Sequence, residues 1–224
     1  MATRFYFSAN DAPAIDPGVP FSGWDSFGEW VVRALITEKR ANDVVTAGTA
    51  IGPVTVFQKV LDRQYVYGPI EAVTISGAVK CQSFAKESSG AMDVNGMFIR
   101  IGHVKANGTA NTDIFLVNRY GSSVELGTDY RNSIVMNGDT PPGGSVSVPA
   151  GDYLLVELGY VAWTYTGDCT GFYGTGDGSD PMLDLPYNDE TETDTTSYCG
   201  WIEFTETITL QAAGAARKLR GHLI

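Results

Sequence analysis

Two histidines, three cysteines and 26 carboxylates are the side chains on which chemistry could be built. Zinc needs three or four ligands at short spacings, yet the chain has neither an HExxH run nor a CxxC pair. A Ser-His-Asp triad would have to draw on His103, since His222 lies in the last residues. No Gly-x-Ser-x-Gly elbow offers it a serine, and Ser88-Ser89-Gly90 reads as an ordinary loop. His103 shares the phase of Met97, Ile99 and Ile101, which is the position of a strand-end or core histidine. Glycoside hydrolysis requires two carboxyls about 5–10 Å apart across a cleft. Glu157, Glu203 and Glu206 fall in strand patterns not far from Trp163 and Trp201, but strand glutamates read first as solvent-facing. Residues 177–194 hold seven acids in 18 positions, an oxygen-rich composition that calcium favours. The alternating Asp spacing of a calcium loop is missing, so the segment reads as a hydrated loop. These patterns predict no metal, no cofactor and no catalytic residue, and the chain is expected not to be an enzyme.

Aromatic rings are the other candidates, because a flat ring can stack on a sugar face. Trp163, Tyr165, Phe172, Tyr173, Tyr187, Tyr198 and Trp201 gather in the acidic half. Trp163, Tyr187 and Trp201 are the expected contacts with a sugar or a partner protein. Rings of this kind also fill cores and intersubunit contacts.

The elements that must position these groups are strands. Gly and Pro together make up 36 of 224 residues, beside 11 Tyr and 10 Phe, which favours short strands and turns over long helices. Thr3–Phe7 reads as a strand, followed by a Pro-rich loop to Ser22. Periodicity is ambiguous from Trp24 to Ile36, and a strand at about 30–37 is the preferred reading. Further strands are expected at Val54–Val60, Gln64–Tyr67 after a turn at Asp62-Arg63, Val73–Cys81, around Met97–Ile101, Ile114–Asn118, Val146–Val148, Tyr153–Trp163 and Trp201–Leu210. Lys86–Asn95 reads as a polar loop. Asn107-Gly108, Asn137-Gly138 and Pro141-Pro142-Gly143-Gly144 read as turns. In the last strand Glu206 falls at an inward parity, which predicts a bulge or a sheet edge. Val73, Ile75, Val79, Met97, Ile99, Ile101, Leu154, Val156, Leu158, Ile202, Phe204 and Ile208 should share one interior. About ten strands and no βαβ rhythm predict an all-β fold, a β-sandwich of jelly-roll type over residues 1–210. Residues 211–224 form a small-residue hinge and a basic tail.

Charge divides the chain unevenly. Residues 1–131 carry 12 Lys/Arg against 13 Asp/Glu, whereas residues 132–216 carry 13 Asp/Glu and no Lys or Arg. The formal net charge is −11, which repels nucleic acid. No apolar run reaches the roughly 18 residues of a membrane-spanning helix, and the opening residues carry no Sec-type signal pattern. Cys81, Cys169 and Cys199 do not make a disulfide framework. Free buried thiols are the first reading and a Cys169–Cys199 bridge the second. Arg217, Lys218 and Arg220 give the tail its charge, and Leu219, Leu223 and Ile224 could fill apolar pockets. The tail is therefore the expected partner-binding segment.

Several pieces together resemble a family of tailed-bacteriophage virion β-sandwich proteins. They are the opening Met-Ala-Thr-Arg-Phe-Tyr-Phe, Gly23-Trp24, Arg63-Gln64-Tyr65-Val66 with Gly68-Pro69-Ile70, Thr74-Ile75-Ser76-Gly77 leading into Val79-Lys80, Leu183-Asp184-Leu185-Pro186, and Trp201-Ile202-Glu203-Phe204. The resemblance covers about residues 1–208. It departs at Cys199-Gly200, where the family closes the acidic loop with Asn-Pro. It implies a structural accessory protein of the virion, on the capsid or tail exterior. Its expected partners are further copies of itself and neighbouring capsid or tail proteins. A module binding carbohydrate or a host receptor, such as a host surface glycan, is the alternative.

Overall fold

The computed structural model describes residues 1–18, 23–38, 44–54, 58–87, 94–118, 131–162, 165–174 and 200–212. Among these residues the fold is all-β, with thirteen strands. They are β1 (Thr3–Phe7), β2 (Ser26–Ile36), β3 (Val44–Val54), β4 (Gln58–Tyr67), β5 (Val73–Ile75), β6 (Val79–Glu87), β7 (Val94–Val104), β8 (Ala110–Asn118), β9 (Arg131–Asp139), β10 (Val146–Val148), β11 (Tyr153–Ala162), β12 (Tyr165–Gly174) and β13 (Trp201–Phe204). No helix among the described residues is long and apolar enough to cross a membrane.

One curled sheet runs β3-β12-β6-β13-β1-β2-β4-β11-β7-β8, with β9 also on β6, and β5 pairs with β10 apart from it. Strand β2 is the joint. Its end pairs with β1 at Tyr6↔Ile36 and Phe7↔Leu35, while its body runs parallel to β4. The curl brings the two halves of the path face to face. Phe5, Phe7, Val79, Cys81, Ile202 and Phe204 from one half meet Tyr65, Ile99, Ile101, Leu154, Val156 and Leu158 from the other in a single cluster. Phe5 lies 4.4 Å from Tyr67 and Phe7 lies 4.7 Å from Tyr65, ring centre to ring centre, so aromatic contacts cross the interior. Burying an aromatic or aliphatic side chain here contributes about 1.5–3 kcal/mol each.

Ten of the twelve residues expected in the interior belong to this cluster, and Val73 packs against it half-buried. The side chain of Met97 lies outside the described residues.

Several expected boundaries move. Asp62-Arg63 is not a turn: β4 runs through it, and the register against β11 shifts there as a bulge. Asn137-Gly138 likewise lies within β9, where the register against β6 shifts. The expected strand Val73–Cys81 is broken at Ser76–Ala78. Ser76 and Gly77 donate their N–H groups to the Glu206 carboxylate at 2.8 and 2.6 Å instead of to a neighbouring strand. That clasp also ends β13 at Phe204, although Ile208 returns to the interior. Strand β2 begins at Ser26 and β8 at Ala110, each earlier than expected, while β3, β9 and β12 were not anticipated as strands. Asn107-Gly108 makes its hairpin, with Gly108 at φ 80° and the Asn107 side chain accepting the Thr109 N–H.

Candidate functional site

The densest group of polar side chains lies on the face of the β4–β11–β7 sheet that turns away from the main interior. Three rows cross these strands in register. Leu61, Gly159 and Phe98 form the first, Gln64, Glu157 and Arg100 the second, and Val66, Leu155 and Gly102 the third. The segment between β1 and β2 covers them. Ile15 packs on Val66, Val104, Tyr153 and Leu155, and Trp24 packs on Leu61 and Phe98. Gly159 makes room for the indole, since a Cβ there would run into the Trp24 ring and the Val60 carbonyl. Gly23 at φ 105° brings the backbone over Arg100 Nη1. The Trp24 and Phe98 rings meet edge to face at 4.7 Å.

Trp24 thereby reaches the charged row. Its Nε1–H donates to Glu157 Oε2 at 2.6 Å, and Gln64 Nε2 donates to Glu157 Oε1 at 2.7 Å. Glu157 and Gln64 are fully buried and Arg100 is 3% exposed. A buried carboxylate is costly unless its lone pairs are met, and here both oxygens have donors while a guanidinium stands opposite in register. Glu157 is thus an interior tie between three strands and the covering segment. The expectation of a solvent-facing glutamate is corrected. The sheet is covered on both faces, so every position along this part of β11 is inside.

His103 ends the same strand as Arg100 and is buried. Its Nδ1 lies 2.7 Å from Asp152 Oδ2, which fixes the ring and suits a strand-end histidine. Glu203 and Glu206 stand apart from Glu157. Glu203 accepts from Arg4 Nε at 3.0 Å across the β1–β13 pair. Burial pushes the Glu206 carboxyl up. The backbone N–H groups of Ser76, Gly77 and Glu206 and the Thr205 hydroxyl outweigh that, holding it below the usual carboxylate value. Burial raises the thiol of Cys81, which is free. Among the described residues no three His, Cys, Asp or Glu gather where they could hold a metal ion.

Of the expected contact residues, Trp201 is 2% exposed and the Arg4 guanidinium lies 4.1 Å over its ring. A sugar would have to displace Arg4 to reach that face. Trp163, Tyr187, the acidic segment 177–194 and the tail residues Arg217, Lys218, Leu219, Arg220, Leu223 and Ile224 lie outside the described residues, as does Cys199 of the Cys169–Cys199 reading. Residue pattern alone did not reveal Trp24, Gln64, Arg100 or Asp152. The signal was available in part: Glu157 is the single charge in the apolar run Tyr153–Ala162, and Arg100 stands between Ile99 and Ile101. Strands apolar at both parities are buried on both faces, and a charge within one needs an interior partner.

No protein-family model and no curated protein matches the chain. Solved structures do. Two are titled as a CocE/NonD family hydrolase from Staphylococcus aureus. One has a TM-score of 0.40 at 10% identity, covering 91% of this chain and 36% of its own, and the other a TM-score of 0.32 at 11% identity, covering 94% and 34%. The chain therefore spans about a third of the length of these structures. These neighbours are titled as hydrolases, and the expectation that the chain is not an enzyme is not retained. Likeness at these scores assigns no reaction in its place.

Proposed function

We propose that this chain is a β-sandwich module of jelly-roll type serving as a structural accessory protein of a tailed-phage virion. It sits on the capsid or tail exterior, attached through its ends and assembled with copies of itself and neighbouring virion proteins. The family resemblance over residues 1–208 supports this, as does the interior cluster that draws on both halves of the curled sheet.

The observation that carries the mode of attachment is the joining of the two described ends at one pole. Strands β1 and β13 lie side by side with Thr3 opposite Phe204. The Thr207 hydroxyl donates to the Met1 carbonyl at 2.8 Å, and Thr3 Oγ1 donates to the Glu206 carbonyl while accepting the Ile208 N–H. Beyond this the chain is stitched to the turn after β4. Glu71 N–H donates to Thr209 O, and Gln211 N–H to Pro69 O. Met1 and Leu210 expose large apolar side chains at these ends. A module held this way can be gripped from one pole, with the cationic tail residues Arg217, Lys218 and Arg220 and the apolar Leu219, Leu223 and Ile224 making the grip.

The test is incorporation into virions. Removing residues 213–224, or replacing Arg217, Lys218 and Arg220 together by glutamate, should leave a folded chain that is lost from purified particles. Truncated chain present in particles at the wild-type amount would overturn attachment through the tail. Absence of the full chain from purified particles would overturn the virion reading itself.

A further inference from the structure

Strand β3 ends the path of the curled sheet, and among the described residues β12 is its only strand partner. From Val44 to Ile51 it pairs with β12 residue for residue, without a register shift, so its outer edge is a straight eight-residue run. The sequence there is Val-Val-Thr-Ala-Gly-Thr-Ala-Ile, and no charged residue occurs anywhere in β3. An open strand edge presents unmet N–H and C=O groups and invites another strand. Proteins usually blunt such edges with charges, bulges, prolines or short length. The other outer strands carry these devices. Strand β8 holds Asp113 and two register shifts against β7, and β9 holds Arg131, Asp139 and two shifts against β6. Strand β3 has Pro53 and one register shift against β12, both beyond the straight run.

We infer that the β3 edge is completed by the β3 edge of a second copy, antiparallel about a two-fold axis. The occupant follows from charge and symmetry. At a net charge of −11, two copies repel one another overall, and β3 gives them a long contact without charge. An antiparallel edge is its own complement under two-fold symmetry. Half of the eight residues turn both backbone groups outward, so the pair can form up to about eight hydrogen bonds. The result is one sheet continuous across two molecules. This deepens the proposed assembly of the chain with itself and rests on that part of the reading.

The experiment uses the isolated full chain, which keeps it separate from virion incorporation. Its mass is measured by light scattering or sedimentation over a dilution series, together with hydrogen exchange of the amides of residues 44–51. Wild type should have twice the mass of one chain, and dilution to single chains should speed exchange at alternate residues of 44–51 at least tenfold. Two double variants, Ala47→Lys with Thr49→Lys and Thr46→Lys with Ala50→Lys, place edge lysines at either parity. Each one that keeps the wild-type circular dichroism should have the mass of one chain. A wild type of single mass, exchange at 44–51 that ignores dilution, or a folded lysine variant that stays paired would overturn the inference. If neither variant folds, dilution-dependent exchange in wild type decides alone. A wild type that never pairs in solution yet still enters virions would refute the edge contact and leave attachment through the tail standing.

Discussion

Glu157→Leu removes the acceptor at the centre of the buried row. In the folded protein the carboxylate takes the Trp24 indole N–H at 2.6 Å and the Gln64 amide at 2.7 Å, with Arg100 opposite on β7. Leucine fills the volume and accepts nothing, so an indole N–H and a fully buried amide lose their partner together. A hydrogen bond to a charged group contributes about 1.5–3 kcal/mol, and two are lost. Removing one member of a buried charged set costs about 3–5 kcal/mol by the independent route. The two figures agree on a loss of about 3–5 kcal/mol. At roughly 2–4 °C per kcal/mol for a domain of this size, Tm should fall by roughly 6–20 °C. Glu157→Gln separates charge from shape. The Gln64 amide can turn to offer its carbonyl to the new NH2 group, while the new carbonyl still takes the Trp24 N–H. The hydrogen bonds are then kept and the charge opposite Arg100 is lost, so the cost should fall below that of Glu157→Leu. Thermal and urea melts followed by circular dichroism and tryptophan fluorescence measure both. An unchanged urea slope confirms that the folded state alone was altered. A Glu157→Leu chain melting within about 2 °C of wild type would refute the claim that this row ties the covering segment to the sheet.

Two further outcomes rest on the same structure. Phe204 is fully buried and meets Phe5 edge to face at 6.2 Å, so Phe204→Ala should cost about 3–5 kcal/mol in a urea melt, and an unchanged midpoint would place the residue outside the interior. Glu206 has its pKa lowered in the folded chain by the Ser76 and Gly77 N–H groups acting against burial. The stability it contributes is therefore present above the usual glutamate value near about 4.3 and is lost as pH falls through the lower folded value. Melts from about pH 6 to about pH 3 should show wild type losing more stability than Glu206→Gln, by a modest, salt-screened margin, and parallel curves would refute the clasp.

Much of the interior was legible because alternation reports which face a side chain takes when only one face is buried. Ile75, Val79 and Phe204 follow that pattern, and they meet in the cluster. The pattern misleads where side chains do not decide the backbone path. Asp62-Arg63 and Asn137-Gly138 have the composition of turns, yet each is a bulge inside a strand, because pairing with β11 and β6 holds the chain straight on either side. Ser76-Gly77 looked like strand, and the carboxylate that breaks it comes from Glu206, 130 positions away. No local signal carries a contact of that range. The odd parity of Glu206 did mark the place where the strand yields, and the structure gives the reason in the two N–H groups it accepts.

The buried row shows the same division between local and distant causes. The run Tyr153–Ala162 is apolar at both parities, which already states that β11 is covered on both faces. Read that way, Glu157 has no route to solvent and must have donors inside. The sequence of β11 cannot say which donors, because Gln64 arrives by strand pairing and Trp24 by the path of the segment that follows β1. Gly159 is the link between them: its missing side chain opens the hole in the Leu61–Gly159–Phe98 row that the indole fills. The glycine admits the tryptophan, and the tryptophan then satisfies the glutamate two residues before that glycine. A pocket and the charge beside it are thus encoded within three positions of one strand, and the residue that completes both comes from a loop 133 positions earlier.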